Sequence, residues 1–224
     1  MKPVMECLRD DSRFDMTLIC AGAMLLERFG KAVDVVRADG FTVHHTIYTE
    51  VEGSTPTTMV ASMGLALSQF SSIFAAQHAE FVLLIGDRYQ AMAAAIAAVY
   101  QNKCLIHIQG GEVSGSIDES TRHAITKLAH YHFPATDRAG RFIVQMGERA
   151  ETVFPLGCPV ADVIAKVADT VPASLSLKSG VGKPLDFSAD YVLALFHPVT
   201  TEYQSAAKEM QNLLEALADL AKPT

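Results

Sequence analysis

The sequence lacks most of the signatures that assign a protein at sight. It holds no GxGxxG and no GxxxxGKS/T, which excludes both a dinucleotide fingerprint and a Walker phosphate loop. No Gly-x-Ser-x-Gly elbow occurs, which argues against an α/β-hydrolase. His107, His123, His130 and His132 form no HExxH pattern, and no cysteine pair completes a tetrahedral set, so neither a metal site nor a cofactor is expected. The four cysteines (Cys7, Cys20, Cys104 and Cys158) are scattered without a CxxC spacing. They are expected to be buried free thiols of a reducing compartment. Basic residues are also in short supply, 18 against 25 acidic ones, for a net charge of −7. A broad basic face for nucleic acid or anionic membrane is thereby excluded, and an anionic ligand must be held by local Arg and His residues. The longest apolar run, Ala91–Tyr100, falls well short of the roughly 20 residues that span a bilayer. The first ten residues turn polar too early for a signal peptide. These absences lead to the expectation of a soluble, cytoplasmic protein with no membrane contact. Internal repeats and low-complexity tracts are missing as well.

What is present is an alternation of short β-type runs with longer helical ones, in a chain of 224 residues that is 50% hydrophobic. At roughly 150 residues per domain, this length fits one full domain and part of another. The candidate strands are Phe14–Cys20, Thr42–Ile47, Phe81–Ile85, Cys104–Ile108, His132–Ala135 and Val153–Leu156. Helical stretches cover Lys2–Asp10, Leu25–Arg37, Thr57–Gln77, Arg88–Gln101, Ile117–His130 and Arg138–Met146. Continuously apolar strands separated by helices predict an α/β domain built on a doubly wound parallel sheet. Ligands of such folds bind beyond the carboxyl ends of the strands. Around Thr170–Ser188 the texture becomes linker-like, with a new strand (Tyr191–Phe196), His197-Pro198 and a helix (Ser205–Ala221) to follow. Expected boundaries are a first domain over 1–168, a linker over 169–189 and the start of a second domain over 190–224. Domains of this kind usually open with a strand, whereas Lys2–Asp10 is helical, so a fragment at both ends is expected.

Polar residues cluster at strand ends. Gly86-Asp87-Arg88-Tyr89 follows the Phe81–Ile85 run, either as a ligand-facing pair or as a turn with Asp87 capping the next helix. His107-Ile-Gln-Gly-Gly-Glu-Val-Ser-Gly-Ser116 brings adjacent glycines that let backbone N–H groups approach a ligand, with Glu112 and Ser114 projecting nearby. The following helix opens with Ser116 and Glu119 in capping-box spacing. Asp118 with Arg122, and Glu119 with His123, stand at i,i+4. Capping and ion pairing account for these five residues without any function. His44 and His45 point to opposite faces of a strand and are expected to be structural.

Taken together, Gly86–Tyr89, the stretch His107–His132, Gly157-Cys158-Pro159 and His197-Pro198-Val199-Thr200-Thr201 resemble the hydrolysing UDP-N-acetylglucosamine 2-epimerases, in register from about Lys2 to the end. The resemblance implies a Rossmann-like first lobe of a glycosyltransferase-B type two-domain fold, a UDP-sugar substrate and a homodimer. It also implies a reaction in which UDP is eliminated across C1–C2 of the sugar, water adds at C1, and a proton returns to C2 on the opposite face. Acid and base carboxylates are needed on either side of the ring, together with donors on the departing diphosphate. By residue-by-residue match Asp87, Asp118 and His197 fall on functional positions, with Arg88 contacting substrate. Gln109 occupies the place of a catalytic Glu in non-hydrolysing relatives and cannot act as a base. Glu112 is the substitute candidate and Glu119 the reserve, while Gln109, Ser114 and Arg122 are expected to line the substrate space. The competing readings are a non-catalytic sugar-nucleotide binding module and a transferase of the same architecture.

Overall fold

The computed structural model describes residues 1–53, 55–167, 189–199 and 204–220. The chain divides into two compact units, Met1–Ala165 and Lys166–Thr224. In the first unit the order is α1 (Lys2–Asp10), β1 (Ile19–Ala21), α2 (Ala32–Ala38), β2 (His45–Ile47), α3 (Pro56–Ala76), β3 (Phe81–Ile85) and α4 (Tyr89–Val99). It continues with β4 (Cys104–Ile108), α5 (Ile117–Leu128), β5 (Tyr131–Phe133), α6 (Asp137–Gln145) and α7 (Pro159–Ile164). All strand pairs are parallel and fall into two sheets, β1-β2 and β3-β4-β5. Parallel sheets flanked by helices define an α/β, Rossmann-like lobe.

Alanine makes the central packing possible. Ala93, Ala94, Ala95, Ala97 and Ala98 of α4 are buried, and they form one core with Ile47, Phe70, Phe74, Val82, Leu105 and Ile125. Small side chains bring the helix close to its neighbours, and close approach keeps the interior dense. β3 is less covered than a central parallel strand would be, since Leu83, Leu84 and Ile85 are only half-buried. It pairs with β4 alone, which leaves its other flank at a sheet edge. Of α3, the stripe Ser62, Ala66, Phe70 and Phe74 turns inward, while Val60 and Leu65 stay exposed. This helix, not the Ala91–Tyr100 run, is long and apolar enough to cross a membrane by length and composition, yet its inner stripe is part of the core.

Several local expectations are corrected. The strand expected from Phe14 begins only at Ile19, because the Leu18 amide is taken by the His44 Nδ1 at 3.0 Å. The Leu25–Arg37 helix is broken into two short 3₁₀ turns and α2, with Gly30 (φ 77°) and Lys31 (φ 43°) in left-handed conformations between them. Val153–Leu156 forms only an isolated bridge to His132. Pro155, lacking an N–H, cannot extend a ladder. Among the cysteines only Cys20 is buried, whereas Cys7 is exposed and Cys104 and Cys158 are half-buried.

In the second unit, residues 189–199 have no regular secondary structure, so the strand expected over Tyr191–Phe196 is absent there. A strand requires a neighbour to satisfy its backbone, and these residues belong to neither sheet. The helix α8 (Ala206–Asp219) lies within the expected Ser205–Ala221. Of the expected linker over 169–189, Ala189 alone lies among the described residues.

Gly111 shows how tightly the β4–α5 loop is held. Its φ is +81°, and a Cβ there would lie 2.3 Å from the Ala139 carbonyl oxygen of α6. Gly111→Ala is therefore expected to cost about 3 kcal/mol or more in urea denaturation. Gly64 of α3 has open space around its missing Cβ. There the same change should be neutral or stabilise by up to about 1 kcal/mol.

Candidate active site

The register of the central sheet places the polar motifs side by side. Ile85 pairs with Ile108 and Ile108 with Phe133, so the chain leaves β3, β4 and β5 at one carboxyl edge. The ladder continues one step beyond the strands, through Gly86 N–H to Ile108 carbonyl at 3.4 Å and Gln109 N–H to Phe133 carbonyl at 2.9 Å. Asp87 and Arg88 follow β3 at this edge, and Gln109 to Ser116 form the loop after β4.

Arg122 gathers these segments. It is a buried residue one turn into α5, and its Nη2 donates to Asp87 Oδ2 in an ion pair. Its Nη1 donates to the Glu112 carbonyl at 2.6 Å and approaches Ser114 Oγ at 3.4 Å. A planar guanidinium with several fixed donors suits this convergence, which a lysine ammonium would not satisfy. The expected i,i+4 pair of Arg122 with Asp118 is thus not formed, since Asp87 claims the guanidinium. Asp87 is not the helix cap either, for that position belongs to Arg88, which makes no side-chain capping bond.

Glu119 also departs from its expected place. Ser116 is the N-cap of α5 but makes no side-chain cap bond, so the capping box does not close. Glu119 Oε2 reaches further back and accepts from Ser114 N–H at 2.5 Å and Gly115 N–H at 2.6 Å. These two amides, Gly115 first, hold its carboxyl below the ordinary Glu range. Its Oε1 lies 3.8 Å from His123 Nε2, so that expected i,i+4 pair is present. Among the described residues, the carboxylates of Glu112 and Asp118 accept no hydrogen bond, and Arg88 makes no ion pair. Arg88 instead rests over the Tyr89 ring, 5.9 Å from its centroid.

Gln109 adopts φ +63°, a left-handed conformation that costs a non-glycine residue of order 1 kcal/mol. Its side chain donates to Cys158 Sγ at 2.8 Å. Behind the edge, His107 is fully buried, with Nε2 2.9 Å from the Gly86 carbonyl and Nδ1 3.3 Å from Thr126 Oγ1. Only a neutral ring with its proton on Nε2 donates to a carbonyl while accepting from a hydroxyl at Nδ1. Burial lowers the His107 pKa to about 4. His132, its register partner on β5, is buried as well and also shifted down by burial. Its Nε2 is 3.6 Å from Glu148 Oε2, too far for a good hydrogen bond. His44 and His45 are structural, bonded to the Leu18 amide and to Gln77. His197 lies in the second unit and is exposed. Among the described residues no cluster of three or more His, Cys, Asp or Glu has metal-binding geometry.

Spacing named Tyr89 within the strand-end cluster but missed Glu50 and Gln90, which meet it in the structure. Tyr89 Oη and Gln90 Nε2 donate to Glu50 Oε1 at 2.5 and 2.8 Å. Asking what each strand tip carries, rather than which residues share a motif, would have brought Glu50 forward.

The lobe belongs to the doubly wound α/β class, whose ligands bind beyond the carboxyl ends of the strands. A family model described as UDP-N-acetylglucosamine 2-epimerase matches residues 6–224, and the chain belongs to that family. It is 32% identical over 216 residues to a hydrolysing UDP-N,N'-diacetylbacillosamine 2-epimerase of Legionella pneumophila, covering 96% of this chain and 56% of that protein. Identity is 30% over 202 residues with a UDP-N-acetylglucosamine 2-epimerase of Neisseria meningitidis, covering 90% of this chain and 52% of the relative. The chain thus spans about half the length of the curated relatives it matches. In fold it is similar to a crystal structure of a UDP-N-acetylglucosamine 2-epimerase, with a TM-score of 0.68 at 19% identity over 78% of this chain and 47% of the other. A UDP-N-acetylglucosamine-bound 2-epimerase from Neisseria meningitidis gives 0.65 at 18% identity, covering 74% and 44%.

The buried imidazole makes stability depend on pH. His107 titrates at about 4 in the folded chain against an ordinary 6.5. Between those values the unfolded chain takes up a proton that the folded one refuses. Stability is therefore complete above about pH 6.5 and is lost progressively as pH falls towards 4, by up to about 3 kcal/mol from this group. Urea midpoints measured from pH 7.5 to 4.5 should fall accordingly, and His107→Gln should flatten the slope.

Proposed function

We propose that this chain is the first lobe of a hydrolysing 2-epimerase that converts UDP-N-acetylglucosamine, or a close UDP-2-acetamido sugar, to the 2-epimeric free sugar and UDP. Residues 1–168 form that lobe and 190–224 begin the second, nucleotide-binding one. The observation that carries the reading is the meeting of the β3 tip, the β4–α5 loop and the α5 start on the Arg122 guanidinium. This leaves Glu112 and Asp118 with free carboxylates and Arg88 with a free charge. Relatives named as hydrolysing epimerases support the same direction.

The chemistry follows from the acidity of the sugar. The proton on C2 is too weakly acidic for simple removal, so its loss is coupled to departure of UDP from C1. A base takes the C2 proton, the C2–H electrons form the C1–C2 double bond, and the C1–O electrons leave with the diphosphate. Water then adds its oxygen to C1 of the glucal, giving one proton to a carboxylate, while an acid returns a proton to C2 on the opposite face. Glu112 and Asp118 are assigned as the acid–base carboxylates. Asp87, neutralised by Arg122, is suited to orienting and hydrogen-bonding the sugar, and Arg88 to countering the diphosphate against the acidic field of the whole chain. Glu119 is assigned to holding the loop through its two amides, while Ser114 and Gln109 line the space. His197 is assigned to the leaving group.

The test is turnover of UDP-N-acetylglucosamine by the full-length protein in D₂O and in H₂¹⁸O. The free sugar should carry one deuterium at C2 and the solvent oxygen at C1. Asp87→Asn, which weakens the pair that orients the sugar, should lower kcat by about 10²-fold without a loss of fold. Reversible epimerisation with UDP still attached would place the protein in the non-hydrolysing branch. Tight binding without turnover would make it a sugar-nucleotide binding module, and transfer to a sugar acceptor would make it a transferase.

A homodimer is proposed alongside, as the family resemblance implies. Sedimentation of the full-length protein should give a dimer. A monomeric wild type removes the idea.

A further inference from the structure

The first turn of α4 is held from two sides, and only one of them belongs to the cluster around Arg122. Asp87, two residues before the helix, is fixed by that guanidinium. Tyr89 and Gln90, the first two residues of the helix, are fixed by Glu50, three residues past the end of β2. The Glu50 loop is itself anchored, because the next amide, Val51 N–H, donates to the buried Ser62 Oγ at 2.9 Å. Ser62 Oγ in turn donates to the Thr58 carbonyl at 2.8 Å. Space for this meeting is made by Gly22, at the tip of β1. A Cβ there would fall 2.6 Å from Gln90 Nε2 and 2.9 Å from Glu50 Oε1, and its φ of +67° favours glycine in any case.

Arg88 lies between the two anchors. It is exposed, and its guanidinium rests 5.9 Å above the Tyr89 ring. The ring is pinned at its far end, through the phenol hydroxyl, to Glu50. A chain of contacts therefore runs from the β2 tip through Glu50 and Tyr89 to Arg88, and a cation over a fixed aromatic face has a preferred position. We infer that Glu50 is a positioning residue: with Tyr89 and Gln90 it sets where Asp87 and Arg88 stand at the carboxyl edge. This rests on the reading above that Asp87 and Arg88 meet the UDP-sugar. Glu50 acts as an acceptor, with one oxygen taking both bonds. An amide oxygen has the same two lone pairs.

The experiment compares Glu50→Ala, Glu50→Gln, Tyr89→Phe and Gly22→Ala in the full-length protein. A displacement of about 1 Å at reacting groups costs about 10²-fold. Glu50→Ala should accordingly lower kcat by about 10²-fold, and Gly22→Ala, three elements away in sequence, should reproduce it. Tyr89→Phe, which keeps the Gln90 bond, should lose about tenfold, and Glu50→Gln should stay within about threefold of wild type. If Glu50→Gln is as impaired as Glu50→Ala, the charge acts in its own right and the positioning role is wrong. A rise in KM alone, or unchanged kcat in folded Glu50→Ala, overturns it too. An arm without substrate separates this inference from the epimerase reading. The guanidinium NMR signals of Arg88 and Arg122 should move in Glu50→Ala and return in Glu50→Gln. Unmoved signals refute the positioning role whatever the turnover, whereas moved signals in a wild type without turnover sink only the epimerase reading.

Discussion

The carboxyl edge of this lobe depends on one buried cation. Arg122 comes from α5, yet it bonds to nothing on its own helix. It joins the tip of β3 through Asp87 and the loop after β4 through the Glu112 carbonyl and Ser114, so three separate stretches of chain share one point of attachment. Burying a guanidinium is costly unless its donors are used and its charge is met. Here the charge is met by a partly exposed carboxylate and two of the remaining bonds go to the loop. The arrangement constrains geometry more surely than it adds stability, since a paired charge in the interior is often no better than a well-packed apolar side chain. Its value lies in what it fixes.

That constraint sorts the acidic residues of the edge. Asp87 is committed to Arg122 and Glu119 to two loop amides, which hold the Glu119 carboxyl below its ordinary range. Glu112 and Asp118 have no such commitments. A reaction that moves a proton on and off carbon needs carboxyl groups able to change state, and a carboxylate locked by a guanidinium or a pair of amides resists protonation. The division between bonded and unbonded carboxylates therefore follows from the fold, with no appeal to position in a motif.

The fold was largely legible, and the reasons for the misses are physical. The apolar runs Phe81–Ile85 and Cys104–Ile108 became strands with those bounds, because continuous hydrophobicity between turn residues is what a covered parallel strand requires. Short elements at the β1–β2 side were misjudged, since three-residue strands and 3₁₀ turns are decided by contacts such as His44 with the Leu18 amide that no local pattern announces. The site was legible as a set of residues but not as a set of bonds. Spacing assigned Asp118 to Arg122, Asp87 to a cap and Glu119 to Ser116, all local partners within one helical turn. The structure gives Arg122 to Asp87, 35 positions away. A partner near in sequence is always available to an i,i+4 argument, while a distant partner with better geometry becomes visible only after the sheet has aligned its strand tips.

Gln109 marks where this chain departs from a simple carboxylate pair. It stands directly at the β4 tip, in a left-handed conformation unusual for a residue with a side chain. It spends its amide on Cys158, at the entry to α7. An amide there can donate and accept but cannot serve as a base. The strained backbone and the bond to Cys158 together turn the chain sharply into Gly110 and Gly111, where close packing against Thr126 and Ala139 leaves no room for side chains. The loop is thereby delivered with Glu112 three residues further along, its carbonyl held by Arg122 and its carboxylate free.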